Sequence, residues 1–157
     1  MAESKKNYFA ELNSINVSDK TEKKNGLTYL SWAWAWGEIK KMHPDTTYTI
    51  YEDADGKFYH TDGKTCWVKT GVTCNGIENI EYLPVMDHRN QPIPLSQVTS
   101  TAVNKAIQRS LTKAVARHGL GLYIYAGEDL PEDDPDATTK KPKRGAASGT
   151  KLGEEFA

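Results

Sequence analysis

"TCWVKTGVTCNGIENIEYLP", residues 65–84, carries the signature of a β-hairpin. Cys66, Val68, Thr70, Val72 and Cys74 alternate with Trp67, Lys69, Gly71 and Thr73, so the two sets fall on opposite faces of a strand. Asn75-Gly76 is the dipeptide that a two-residue hairpin turn favours. The return strand "IENIEYLP" ends near Pro84, which has no amide to give to a ladder. Upstream, "TTYTIYE" is a further strand, followed by the turn "DADGK". Downstream, the proline-rich "HRNQPIPLSQ" is a loop. Then "TSTAVNKAIQRSLTKAVARHG" reads as a long helix closed by Gly119. "GLYIYAG" is expected to add a short final strand.

Ahead of the strands lies "SWAWAWGEIKK", residues 31–41, with three tryptophans in five residues. Trp32, Trp36, Ile39 and Met42 follow the rhythm of one helix face, Ser31 suits an N-cap, and His43-Pro44 ends the run. A strand would stop at Gly37 and leave "EIKKM" unexplained. The reading is therefore a helix with Trp32 and Trp36 toward the core and Trp34 away from it. The preceding residues 1–26 form a polar segment with one short helix near Tyr8–Leu12 and a loop at "SDKTEKKNG". Residues 131–157 are too polar to offset the entropy of ordering and are expected to be a disordered acidic and basic tail. The sequence thus predicts an α+β fold over residues 27–130. An N-terminal helix precedes a three- to four-stranded antiparallel sheet, a β-β-β-α core, packed by a long basic helix.

Composition narrows the function classes. Of 157 residues, 38% are hydrophobic, and the net charge is −1. No apolar run approaches the roughly 18–20 residues that cross a bilayer, and the N-terminus lacks the apolar core of a signal peptide, so a cytoplasmic protein is expected. Cys66 and Cys74 share a strand face and read as small buried thiols rather than a disulfide. The near-zero charge hides a segregation. Residues 95–126 hold Lys105, Arg109, Lys113 and Arg117 and no acid, whereas residues 127–157 hold eight acidic residues against five basic ones.

Those four cations form an i+4 row about 18 Å long, roughly opposite the apolar row Val103, Ile107, Leu111 and Val115. No acid supplies i+4 partners, and Asn104, Gln108 and Thr112 flank the row as hydrogen-bonding groups. A nucleic-acid backbone suits such a surface; the plain alternative is a solvated helix face. Trp67 and Lys69 on one strand face, and Trp34 off its helix's apolar stripe, are candidates for base stacking, against core or subunit-interface roles. Lys64, Lys69 and Arg89 are weaker candidates for a second wall. Enzyme motifs are incomplete. "GKT" at Gly63–Thr65 has Phe58 where a phosphate-binding loop needs its first glycine. "DADG" lacks the closing glutamate of a calcium loop. His43, His60, His88 and His118 show no metal-ligand spacing, and His118 reads as a helix-end residue interacting with the dipole. No cofactor is expected.

Three blocks, "YLSWAWAWGEIKKMHPDTTYTI", "TCWVKTGVTCNGIENIEYLPVMD" and "VTSTAVNKAIQRSLTKAVARHGLGLYIY", resemble the phage single-strand annealing proteins of the Sak-like type, distant relatives of the eukaryotic ring-forming annealing protein of homologous recombination. The resemblance implies a β-β-β-α core behind an N-terminal helix and a homo-oligomeric ring or helical filament. It implies ATP-independent annealing of complementary strands, with single-stranded DNA held by its backbone. It puts a DNA-contacting cation at Lys113, with Arg109 and Arg117 nearby, and leaves Trp34 where the family has a basic residue. The expected function is single-stranded DNA binding and annealing in phage homologous recombination, in the bacterial host cytoplasm and without catalytic residues. The alternative is a passive single-stranded DNA or RNA binding module. A host single-strand-binding protein docking on the tail, and a partner exonuclease, are further expected partners.

Overall fold

A computed structural model of the chain describes residues 7–126. It is a mixed α+β fold with three α-helices: α1 (Tyr8–Asn13), α2 (Trp32–Met42) and α3 (Ser100–Ala116). Strands β1 (Thr21–Lys24) and β2 (Leu27–Leu30) form a two-stranded antiparallel sheet. Strands β3 (Thr47–Ile50), β4 (His60–Thr61), β5 (Cys66–Cys74) and β6 (Ile77–Pro84) form a four-stranded antiparallel one. The expected tail lies outside the described residues.

β5 is the axis of the larger sheet. β6 follows one of its flanks from Cys74↔Ile77 to Trp67↔Pro84, and β3 and β4 share the other. The turn between β5 and β6 puts Asn75 at φ 58° and Gly76 at φ 79°, the left-handed pair that a tight hairpin requires. The alternation read from the sequence holds. Cys66, Val68, Thr70, Val72 and Cys74 are all buried, and burial pushes both free thiols above their ordinary pKa.

α3 packs on that buried face. Cys66, Val68, Leu83 and Val85 meet Val103, Ala106 and Ile107 in one apolar cluster. The Thr70 and Ser110 hydroxyls, both buried, hydrogen bond to each other at 2.7 Å and tie β5 to α3. Thr99 caps α3, its hydroxyl accepting from the Ala102 amide at 3.1 Å. Beyond Ser110 the helix is buried nearly all round, from Thr112 to Ala116, because α2 packs on it as well as the sheet. The other sheet face stays open, with Tyr82 57% and Ile80 36% exposed.

Three expectations are corrected. α2 is a helix capped by Ser31, but its buried ridge is Ala35 and Ile39, and Trp32 is 53% exposed. An alanine admits a close helix-helix approach that an indole blocks, so α2 turns its small ridge inward and the indoles flank it. Trp36 accordingly meets Tyr48 edge-on at 5.6 Å. Second, "SDKTEKKNG" is not a loop: a 3-10 turn at Ser18–Lys20 leads into β1, and Asn25-Gly26 makes the β1–β2 turn. Third, "GLYIYAG" gives a 3-10 turn at Leu122–Tyr125 rather than a strand, because Gly121 at φ 77° curls the chain.

His118 also differs from its expected surroundings. It follows the C-cap of α3, at the helix end as expected, but it is fully buried and hydrogen bonded to the sheet and to α1. Its Nε2 donates to the Val72 carbonyl at 2.8 Å, and its Nδ1 lies 3.0 Å from the Tyr8 hydroxyl and 3.3 Å from Asn79 Nδ2. Burial outweighs the hydrogen bond to the Val72 carbonyl and lowers its pKa below the ordinary 6.5. The neighbouring Gly119, at φ 124°, lets α1 cross close by: a Cβ there would sit 2.5 Å from the Phe9 carbonyl oxygen.

Candidate nucleic-acid interface

The cations of α3 meet four different environments. Lys105, in the second turn, is exposed. Arg109 is half-buried, with its guanidinium 5.2 Å from the centre of the Tyr29 ring. Lys113 is 9% exposed. Arg117 is more than half exposed and hydrogen bonds through Nε and Nη2 to the Glu81 carboxylate, whose residue is only 7% exposed. The acid missing from the i±4 positions of the helix therefore comes from β6, across the sheet. Exposure falls from Lys105 through Arg109 to Lys113 and rises again at Arg117, so the row is not one uniformly solvated face.

Its N-terminal end is joined by elements from elsewhere in the chain. Tyr29, on β2, also lies 5.8 Å beneath the Lys24 ammonium, so Lys24 and Arg109 share one ring. Both contacts are cation–π pairs, which hold a positive charge in place without neutralising it. Lys24 has Glu22 as an exposed ion-pair neighbour at 3.9 Å, a separation at which water leaves little mutual stabilisation. The β1–β2 turn docks on the loop that carries Arg89. The Asn25 side-chain amide donates to the His88 carbonyl, and the Asn90 amide donates to the Asn25 carbonyl at 2.9 Å. That loop is shaped by Asp87, whose carboxylate accepts from the Arg89 and Gln91 amides at 2.8 and 3.0 Å. Those two donors hold the Asp87 pKa below its ordinary value. Lys24, Arg89, Lys105 and Arg109 thus come from three elements, of which the β1–β2 hairpin touches both of the others. Lys24 and Tyr29 are absent from the sequence-based candidates; the Asn25-Gly26 turn signal was the available clue to the hairpin that carries them.

The remaining candidates lie apart from this surface. Trp67 and Lys69 occupy the open face of the larger sheet, on the side away from α3. The His60 ring stacks on Trp67 at 6.4 Å and 18°. The Lys69 ammonium lies 4.6 Å from the Tyr51 ring and 5.7 Å from the Tyr82 ring. Lys64 sits in the exposed β4–β5 turn. Within one chain Lys69 therefore lies on the opposite side of the sheet from α3. Trp34 is half-buried on the flank of α2 nearly opposite Trp36.

The turns that hinted at other chemistry satisfy themselves. In "TDGKT" the Lys64 and Thr65 amides donate to Asp62 Oδ1 at 2.9 and 3.1 Å, and the Gly63 amide donates to the Thr61 hydroxyl at 2.9 Å. The chain's own carboxylate holds the amides that a phosphate would need. In "DADGK" the Asp53 carboxylate accepts the Asp55 and Lys57 amides, both at 2.9 Å, and pairs with the Lys57 ammonium at 3.0 Å. Among the described residues no group of three His, Cys, Asp or Glu side chains could hold a metal ion, and no helix is long and apolar enough to cross a membrane.

No curated protein matches the chain. The family model described as Sak Single Strand Annealing Protein matches residues 6–152, which takes in every described element. With an antiparallel sheet backed by a cationic helix already in place, the chain belongs to the Sak single-strand annealing protein family.

Proposed function

We propose that this chain binds single-stranded DNA along the surface centred on Tyr29 and anneals complementary strands without ATP in phage homologous recombination. The observation that carries this reading is the convergence of Lys24 and Arg109 on one ring, with Lys105 one helical turn away and Arg89 on the docked loop. Phosphates recruited there release counterions, and the loss of strand–strand repulsion lets a second strand search for register. Duplex formation then supplies the driving free energy, so no nucleotide hydrolysis is required. A few cations on one chain give limited affinity, which favours a homo-oligomer that repeats the surface along the strand. β6 supports such assembly: among the described residues it has a ladder partner on one side only, and it carries exposed Ile77 and Ile80. Docking of a host single-strand-binding protein on residues 131–157, and cooperation with an exonuclease, belong to the same proposal and rest on the tail's charge pattern and the family.

The test is annealing of two complementary labelled oligonucleotides without ATP at low and moderate salt, with Lys24→Ala plus Lys105→Ala alongside. Both lysines are exposed, so the fold survives their loss. Salt-sensitive acceleration that the double variant loses is the expected result. Binding without acceleration reassigns the chain to a passive single-stranded DNA or RNA binding module. No binding returns the basic row to a solvated face.

A further inference from the structure

The open face of the larger sheet holds a feature that phosphate binding beside α3 does not use. A groove of about 420 Å³ is lined by Trp67, Tyr82, Pro84 and Pro92, with Asp62 and Leu83 also contributing to its lining. Trp67 stands opposite Pro84 in the β5–β6 register, and Tyr82 opposite Lys69, so the two rings are diagonal neighbours on one face. His60 stacks against Trp67 and sets the indole plane. Tyr82 is 57% exposed, a large surface for a ring that could have been buried.

We infer that this groove is a base-stacking site for the unpaired nucleobases of a single strand, distinct from the phosphate-binding surface around Tyr29; the inference rests on the single-strand-binding reading above. Two sets of observations select a nucleic acid as the occupant. The first is the lining. Flat aromatic and proline faces, with few donors or acceptors, suit the π-face of any base and discriminate little among them. The second is charge. Lys69 is held at one end of the groove by the Tyr51 and Tyr82 rings, and Lys64 stands in the exposed turn next to Asp62. Lys69 has no ion-pair partner among the described residues, which leaves its positive charge for a phosphate, whereas Lys64 also feels the neighbouring Asp62 carboxylate. The nearby acids are engaged: Asp62 accepts the Lys64 and Thr65 amides, and Glu78 accepts the Tyr51 hydroxyl at 2.5 Å. Stacking uses the face of a base and leaves its pairing edge open. A base held this way is displayed to a complementary strand, as annealing needs.

The test uses the full chain and two oligonucleotides of equal length and charge, one of thymidines and one of abasic sites. Affinities are read by fluorescence anisotropy over a range of salt. The wild type is expected to bind the thymidine strand roughly tenfold more tightly than the abasic one, the size of one or two stacked bases. Tyr82→Ala and Trp67→Ala are each expected to bring that ratio toward one while the salt dependence stays unchanged, and Trp67→Phe to keep it. Tyr82→Ala removes an exposed ring, so it remains informative should Trp67→Ala unfold. A wild-type ratio of one overturns the groove and leaves the phosphate surface standing. A ratio that persists in both alanine variants places stacking elsewhere and also overturns it. So does a change of oligomeric state in those variants with the ratio unchanged, which would make the face a contact between copies. Absence of binding to either strand removes the single-strand-binding reading itself.

Discussion

The Arg109 guanidinium lies over the Tyr29 ring, 5.2 Å from its centre, and joins α3 to the β1–β2 hairpin. A ring orients a cation without cancelling its charge. Tyr29 therefore acts as a positioning residue for Lys24 and Arg109 together. Tyr29→Leu is expected to weaken single-strand binding several-fold, since each cation–π contact contributes about 0.5–1 kcal/mol at a partly exposed site. Tyr29→Phe should bind normally, because the ring and not the hydroxyl is used. Anisotropy titrations of the two variants check this; equal losses would point to the hydroxyl instead.

Lys105 and Lys113 stand two turns apart on α3 and should respond in opposite ways. Lys105 is exposed, so Lys105→Ala is expected to lower the salt slope of binding by about one and to change stability by less than about 0.5 kcal/mol. Lys113 is 9% exposed, and its stem is packed. Lys113→Ala is expected to cost about 2 kcal/mol of stability through lost packing and to leave the salt slope unchanged. Urea melts and salt titrations of both variants provide the comparison. A drop in slope for Lys113→Ala would mean that its ammonium reaches a phosphate.

The periodic elements were legible because their signals are local. Alternation over residues 66–74 and the Asn75-Gly76 turn define the central hairpin, and the spacing of Val103, Ile107 and Val115 defines the face of α3. What stays hidden is set by neighbours distant in sequence. Nothing within four residues of Arg117 reveals Glu81, which reaches it from the adjacent strand. The burial of Lys113 depends on α2 covering the second side of α3. The rotation of α2 follows from how closely Ala35 lets two helices approach, whereas hydrophobic spacing alone favoured the tryptophans. The β1–β2 hairpin fell between these cases. Asn25-Gly26 signals its turn, but β1 is mostly exposed and has no apolar alternation to mark it as a strand.

The two ends of the Arg117–Glu81 pair are buried unequally, and their variants should differ for that reason. Arg117→Ala leaves a carboxylate in a residue that is 7% exposed, so it is expected to cost about 2–3 kcal/mol. Glu81→Gln leaves a guanidinium that water already reaches, and about 1 kcal/mol is expected. Glu81→Gln also frees a cation, so the salt slope of DNA binding should rise rather than fall. Chemical denaturation of both variants decides the first point. Equal costs would show that the carboxylate finds another donor when Arg117 is gone.

His118 makes stability depend on pH in a definite direction. The Val72 carbonyl can only accept, so Nε2 carries the proton, and Nδ1 is left to accept from Tyr8 and Asn79. A second proton on Nδ1 would face those donors inside the core, and burial accordingly lowers the pKa below 6.5. The unfolded chain, with an ordinary histidine, takes up that proton first as pH falls. The contribution is therefore complete above pH 6.5 and is lost progressively below it, down through the folded-state pKa. Its limiting slope is about 1.4 kcal/mol per pH unit. α1 should be the first element to respond, because Tyr8 is its link to the ring. Urea melts on either side of pH 6.5, repeated with Tyr8→Phe and His118→Gln, test the assignment. The wild type should lose stability on acidification, and His118→Gln should be less stable throughout but flatter with pH in that window. An unchanged slope in His118→Gln would assign the acid sensitivity to another group.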